Sequence, residues 1–337
     1  MREEIIVSGR MNKGIDPVLH VWGWEIAVYL FLGGLAAGLL IYASYYALQK
    51  KSDEYRTTVR WAPLLVPFLL VLGLLALFID LRHKLYFWQL YTTIRLESPM
   101  GWGAWTLMII TPISIAWGAL QLKVLFPTIN LNAPAANLLK LIMVESKSTP
   151  VNWEWRYKWL IYIENFLNKH IKVFSWVQLV YAVILGIYTG ILLSAFNARP
   201  LWNTSILGPL FLTSGLSTAA ATIMLLTKNH DERKQFSKID LVMIIIELFL
   251  ITHMFMGFLA STQVQIQAAQ LFLGGDYTVV FWVFVVILGL IIPAFLEILE
   301  LRGYKIPVVV PALLVLMGGI VLRFVIVYAG QASRYLY

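Results

Sequence analysis

Eight long apolar runs dominate this sequence and leave few folds open to it. They extend over residues of about 21–48, 58–81, 101–126, 173–196, 204–227, 238–260, 277–301 and 306–329. Each run is long enough for an α-helix to cross about 30 Å of hydrocarbon, whereas strands of a membrane barrel have about 10 residues of alternating polarity. With 60% hydrophobic residues and a mean hydropathy of +0.76, the chain is predicted to be an all-α membrane protein with eight transmembrane helices.

The positive charges predict the orientation of these helices. Lysine and arginine number 17 in and beside the connections after spans one, three, five and seven, against 8 at the termini and in the other connections. The positive-inside rule then places both termini outside. The first run is too long for a signal peptide and lacks a small-residue cleavage site, so we expect it to remain as a span. Because the charges flank spans rather than forming one face, no nucleic-acid partner is expected; the partner surface is the lipid bilayer.

The sequence contains no cysteine, which excludes disulfides, thiolate chemistry and an iron–sulfur cluster ligated by this chain. A b-type haem held by two histidines needs imidazoles on facing helices at matched depth. Only His253 lies well inside a span, while His20 and His83 lie at span ends. We therefore predict no haem and no bound metal, and any metal centre of an electron-transfer complex would belong to another subunit.

The one long connection, residues 127–172, joins spans three and four. It contains an apolar-periodic piece at Leu138–Val144 and an aromatic and basic piece at Trp153–Trp159. Interleaved aromatic and basic residues are typical of a helix lying in the membrane interface, so an interfacial helix on the inner leaflet is predicted. A docking surface for a partner is the alternative.

A first group of polar side chains is predicted at the outer face. Given the topology, it combines residues from spans one, two and four: His20, Trp24, Glu25, Tyr29, Asp80, Arg82, His83 and Tyr188. A carboxylate inside a span is costly, so Glu25 is a functional candidate, and Tyr29 lies on the same helix face four residues later. Gly34 and Gly38 form a GxxxG surface that allows close helix packing.

Structural alternatives to this group remain open. Trp22 and Trp24 are typical of the aromatic belt at a membrane interface, Asp80 and Arg82 can form an ion pair at a helix end, and histidines at span ends are often interfacial. The shared depth of these residues favours a pocket at the outer face.

A second group of ionisable residues occupies the later spans. Glu247 lies midway along span six with His253 further out, and Arg323 lies well inside span eight. A buried arginine needs a partner, and Glu247 is the plausible one. The group is either a proton path or a structural ion pair.

Several motifs together resemble one protein family. They are Trp22–Gly38, Asp80-Leu-Arg82, Ser98–Trp105, Tyr188-Thr-Gly190, Pro200–Asn203, Ile292-Pro293 and Gly318–Arg323. In this order they are similar to the NrfD/polysulfide reductase family of haem-free, quinone-reactive membrane subunits, over nearly the whole chain. Relatives vary at the positions filled here by Glu25 and Tyr29, where histidine and amide side chains also occur.

The resemblance implies two four-helix bundles, residues 1–196 (including the 127–172 connection) and 197–337, with a menaquinone or ubiquinone site in the first. The implied quinone-binding residues are His20, Trp24, Glu25, Tyr29 and Tyr188. Proton transfer near the quinone is assigned to Glu25, Asp80, Arg82 and His83. The resemblance also implies a location in a prokaryotic cytoplasmic membrane. It implies two partners as well: a ferredoxin-like iron–sulfur subunit, and a catalytic subunit that carries molybdopterin or another centre.

The sequence therefore predicts a membrane anchor that exchanges electrons and protons between quinone and a partner iron–sulfur subunit. The alternative is a secondary transporter or proton-translocating channel that uses the same ionisable residues. Transporters typically have broken helices in matching halves and a site near the midplane. Pro293 and the pair Gly318-Gly319 are the sequence features that favour such interruptions.

Overall fold

A computed structural model describes residues 22–129, 139–146, 151–196 and 198–333. Besides two short 3-10 helices, Lys84–Tyr86 and Leu139–Leu141, these ranges contain eleven helices: α1 Trp24–Leu48, α2 Thr57–Asp80, α3 Gln89–Thr92, α4 Pro99–Leu125, α5 Lys158–Lys169, α6 Ile171–Ser194, α7 Leu207–Leu226, α8 His230–Leu259, α9 Gln263–Gln270, α10 Val280–Leu301 and α11 Val309–Ala332. Eight of them are long and apolar enough to cross a membrane, namely α1, α2, α4, α6, α7, α8, α10 and α11. The predicted all-α architecture with eight spans is confirmed.

The sixth span begins earlier in the sequence than predicted. Helix α8 begins at His230 rather than near 238. Asn229 caps it, because its side-chain oxygen accepts a hydrogen bond from the Asp231 amide at 3.0 Å, and Asp231 and Glu232 complement the helix dipole in the first turn. Two charged turns precede the apolar stretch, so hydropathy alone cannot detect this start.

Helix α1 is the central helix of the fold. It contacts α2, α6, α7 and α11, and its GxxxG surface meets α7, where a Cβ on Gly38 would lie 2.5 Å from the Gly215 carbonyl oxygen. No residue larger than glycine fits at such a close helix contact. The close packing of α1 therefore links the first four spans to the fifth, and the division into two bundles stays a prediction.

The connection between α4 and α6 differs from its predicted form. Trp153–Trp155 is a strand, β2, that pairs antiparallel with β1, Met143–Glu145. Trp153 is buried and donates its indole N–H to the Phe126 carbonyl at 2.8 Å. The Trp-Glu-Trp alternation follows the period of a strand, so the prediction of a helix across Trp153–Trp159 was wrong in its first half. Leu138 lies outside the described residues.

Helix α5 follows this hairpin and carries the interfacial pattern instead. It exposes Trp159, Tyr162 and Phe166, and a 2.6 Å ion pair between Lys123 and Glu164 joins it to α4. An amphipathic helix with exposed aromatic residues has the composition of a membrane-interface helix, and its location on the inner leaflet stays a prediction.

The spanning helices have two distinct ends. At the first, which we call the Trp22 end, the Trp22 amide and carbonyl form 2.8 and 2.9 Å hydrogen bonds with the Gln331 side chain. At the other, the Glu232 end, the Glu232 carboxylate accepts hydrogen bonds from Thr57, Thr58 and Thr227. The described residues thus start and finish at the same end.

Candidate functional site

An apolar cavity opens at the Trp22 end, enclosed by α1, α2, α4, α6 and the connection that includes α3. Its volume is about 470 Å³, within the range typical of small-molecule sites. Aliphatic and aromatic side chains form most of the wall, and four polar side chains join them: Tyr29, Asp80, Tyr91 and Tyr188. The cavity therefore suits a largely apolar ligand that carries a few hydrogen-bonding atoms.

Two buried phenols from different helices reach this cavity. Tyr29 of α1 is 2% exposed and Tyr188 of α6 is 8% exposed. Across the described ranges, neither hydroxyl has a hydrogen-bond partner in the protein. Both residues border the cavity, so their hydroxyls are free to donate hydrogen bonds to acceptor oxygens of a ligand.

Asp80 contributes the carboxyl group of the cavity. It is the last residue of α2, half-buried, and within electrostatic range of Glu25. Glu25 itself does not line the cavity. Its carboxylate lies against the Gly23 backbone in the first turn of α1, where a negative charge complements the helix dipole. The structure thus places Asp80 in the cavity wall and Glu25 outside it.

Two cavity residues were missing from the predicted site. Trp22 is buried, with its ring 4.8 Å from Phe196 and 5.2 Å from Trp202, although its position at a span end suggested an interfacial aromatic. Tyr91 lies in the short helix α3, and its carbonyl accepts a 3.2 Å hydrogen bond from the Trp105 indole. Burial raises the pKa of Tyr91, so its phenol stays protonated and able to donate.

Three other described residues of the first group, Trp24, Arg82 and His83, do not line the cavity. Trp24 is 50% exposed. Arg82 and His83 line a shallow depression on the adjoining surface, together with Arg95. His20 lies outside the described residues. The structure therefore brings together Tyr29, Asp80 and Tyr188 of the predicted set.

The second group is divided in the same way. The buried Arg323 guanidinium donates to Ser214 Oγ at 2.5 Å and to the carbonyls of Gly319 and Phe211. Glu247 is buried on the other side of Ser214 and interacts electrostatically with Arg323. His253 is exposed and packs against Phe249 at 4.3 Å. The structure thus joins Glu247 and Arg323 through a serine and leaves His253 apart.

The chemistry available at the cavity is hydrogen bonding and proton transfer. Among the described residues, no three histidine, cysteine, aspartate or glutamate side chains converge so that they could hold a metal ion. Phenols can donate to a ligand oxygen, and the Asp80 carboxyl can accept or release a proton. The fold and this site define a multi-pass membrane protein with a cavity for a largely apolar ligand at one end of its helices.

Comparison with known proteins agrees with this class. The family model described as polysulphide reductase, NrfD, matches residues 12–333. The chain is 32% identical to Protein NrfD of Escherichia coli over 329 residues, which cover 93% of this chain and 96% of that protein. It is also 32% identical to the C subunit of polysulfide reductase from Wolinella succinogenes over 325 residues, 92% of this chain and 94% of that protein.

A third relative, the Protein NrfD homolog of Haemophilus influenzae, is 29% identical over 326 residues, 93% of this chain and 95% of that protein. The chain therefore belongs to the NrfD/polysulphide reductase family of membrane subunits, which confirms the resemblance noted in its motifs.

Proposed function

We propose that this chain is the quinone-reactive membrane anchor of a respiratory oxidoreductase complex in a prokaryotic cytoplasmic membrane, with menaquinone or ubiquinone as its cofactor. The observation that carries the proposal is the pair of buried phenols, Tyr29 and Tyr188, at an apolar cavity of about 470 Å³. A quinone headgroup has two acceptor oxygens on an apolar ring, which matches this lining.

The polar residues of the cavity have distinct proposed roles. Tyr188 and Tyr29 hold the headgroup by donating hydrogen bonds to its oxygens, and Tyr91 can donate from the connection. A quinol that is oxidised releases two electrons and two protons. Asp80 is the proposed proton acceptor because it is the carboxyl group that lines the cavity. Glu25, within electrostatic range of Asp80, then passes protons toward the Trp22 end.

Electrons have to leave this chain for a partner, since it has no cysteine to ligate an iron–sulfur cluster. We propose a ferredoxin-like iron–sulfur subunit that docks on the connection between α2 and α4, beside the cavity. This connection exposes Leu85, Tyr86 and Trp88 among the basic residues Arg82 and Arg95. The catalytic subunit, with molybdopterin or another centre, would complete the complex.

The test is quinol oxidation by the assembled complex. Tyr188→Phe and Tyr29→Phe keep the rings and remove the donors, so we expect a raised KM for a quinol analogue. Tyr162→Phe, on the exposed face of α5, is the matched control and should behave as the wild type. Unchanged kinetics in both cavity variants would contradict the proposal.

The transporter alternative receives less support. Helix α10 continues through Pro293 by changing from π-type to α-type hydrogen bonding at Ile292, and α11 runs unbroken through Gly318 and Gly319. Transporters of the type considered have broken helices around a midplane site. Metal-rich partner subunits that co-purify with the protein would favour the anchor, whereas transport by the protein alone would favour the alternative.

A further inference from the structure

Two buried carboxyl groups lie between α8 and α10, away from the quinone cavity. Asp240 of α8 and Glu297 of α10 are both 0% exposed. Helices α8 and α10 pack against each other, and the two carboxyl groups interact across this contact. Ser217 of α7 donates a hydrogen bond to Asp240 Oδ1 at 2.5 Å.

The remaining oxygens of this pair lack donors. Within the described part of the chain, no hydrogen-bond donor reaches either Glu297 oxygen or Asp240 Oδ2. Two ionised carboxylates in contact and out of water would repel each other without compensation. A proton on one of them removes the repulsion and supplies the missing hydrogen bond at the same time. A single proton shared by Asp240 and Glu297 would therefore satisfy both groups.

A route to solvent begins one turn further along α10. Glu300 is three residues from Glu297, on the same helix face, and interacts with the positive charges of Arg233 and His230. It lines a basin of about 590 Å³ at the Glu232 end. The other charged residues around this basin are Lys234 and Lys305. Glu300 is thus an ionisable group between bulk solvent and the buried pair.

We propose that Asp240 and Glu297 hold one shared proton and exchange it with solvent at the Glu232 end through Glu300. The exchange involves no other reactant: the proton leaves the pair for the Glu300 carboxylate and from there reaches water, and returns the same way. The pair is then a proton-storing site opposite the quinone cavity. It rests on α7, α8 and α10 alone and does not depend on the proposed quinone chemistry.

Further buried polar groups lie between this pair and helix α1. Glu247 is two turns beyond Asp240 on α8, and Ser214 connects it to Arg323. Arg323 lies beside Gly34 of α1, the helix that carries Tyr29. The proton-storing site therefore lies at the solvent end of a series of buried polar groups. The other end of this series contacts α1, the helix that also lines the cavity.

Infrared spectroscopy of the purified full-length protein in lipid tests the proposal. A protonated carboxylic acid has a carbonyl-stretching band that a carboxylate lacks. We expect such a band at neutral pH and its loss in both Glu297→Gln and Asp240→Asn, since the two groups share one proton. Glu154→Gln, on the exposed side of β2, is the surface control, and Glu247→Gln identifies any band from Glu247.

Hydrogen–deuterium exchange tests the route. In D₂O we expect the band of the folded wild type to shift to lower frequency, and Glu300→Gln to slow this shift several-fold. A band that persists in full in Glu297→Gln and Asp240→Asn would overturn the shared proton. A band that exchanges only on unfolding, or equally fast in Glu300→Gln, would overturn the route through Glu300. Because two independent variants report on the pair, misfolding of one leaves the other decisive.

Discussion

The phenol ring of Tyr188 lies against Gly103, so close that a Cβ at position 103 would overlap it. Gly103 is part of helix α4, and both residues line the cavity. The missing side chain of one residue therefore creates the space in which the hydroxyl of the other reaches the cavity.

Gly103→Ala should displace the Tyr188 ring. Because the overlap is with a rigid ring, the ring must move by about 1 Å or more, and misplacements of about 1 Å can reduce rates by about a hundredfold. We expect quinol oxidation by the assembled complex to fall by up to that factor, while the amount of folded protein stays the same. Gly101→Ala is the control, since its Cβ would meet the Arg95 carbonyl oxygen at 3.6 Å, an ordinary contact. Wild-type turnover in Gly103→Ala would show that the Tyr188 position does not matter.

Asp80→Asn should separate proton transfer from binding. The amide keeps the shape of the carboxyl but cannot accept a proton, so kcat for quinol oxidation is expected to fall by about a hundredfold or more with little change in KM. Asp53→Asn, at an exposed ion pair with Arg60, should have no effect. A raised KM with unchanged kcat would instead assign Asp80 to headgroup binding.

The eight spans could be predicted because the signal is local: apolar composition over a helix length determines a span regardless of its neighbours. In the 127–172 connection, by contrast, local composition does not predict the structure. Trp153 and Trp155 pair with the preceding strand of a hairpin, Met143–Glu145, and that pairing, rather than the aromatic and basic composition, decides that the segment is a strand.

The sequence could predict only the depth in the membrane at which the site residues lie, and not which side chains face the cavity. Residues of similar depth on neighbouring spans, such as Tyr29, Asp80 and Tyr188, do converge. Whether a side chain at that depth faces the cavity depends on helix rotation and local contacts, which is why Glu25 turns toward the Gly23 backbone. Tyr91 could not be found by depth at all, since the fold of a connection brings it to the cavity.

Glu232→Gln should destabilise the fold at the end opposite the cavity. The buried carboxylate accepts hydrogen bonds from the backbone amides of Thr57 and Thr58 at 3.4 and 2.8 Å, so it caps the start of α2. Hydrogen bonds to a charged group contribute about 1.5–3 kcal/mol each, and the amide replaces an acceptor with a donor. We expect a lower thermal midpoint with normal quinol kinetics in the folded fraction. The control Glu54→Gln changes an exposed residue with a 4.0 Å ion pair, and an equal midpoint shift there would contradict the capping role.

Arg323 and Glu247 should behave as an energetically coupled pair. Arg323→Met removes three buried hydrogen bonds and leaves the Glu247 carboxyl without its countercharge, and breaking a buried pair on one side typically costs about 3–5 kcal/mol. Adding Glu247→Gln removes the orphaned charge, so the double variant should unfold at a higher temperature than Arg323→Met alone. Thermal midpoints of the wild type, both single variants and the double variant form the required cycle. Strictly additive shifts would mean that Ser214 insulates the two charges rather than connecting them.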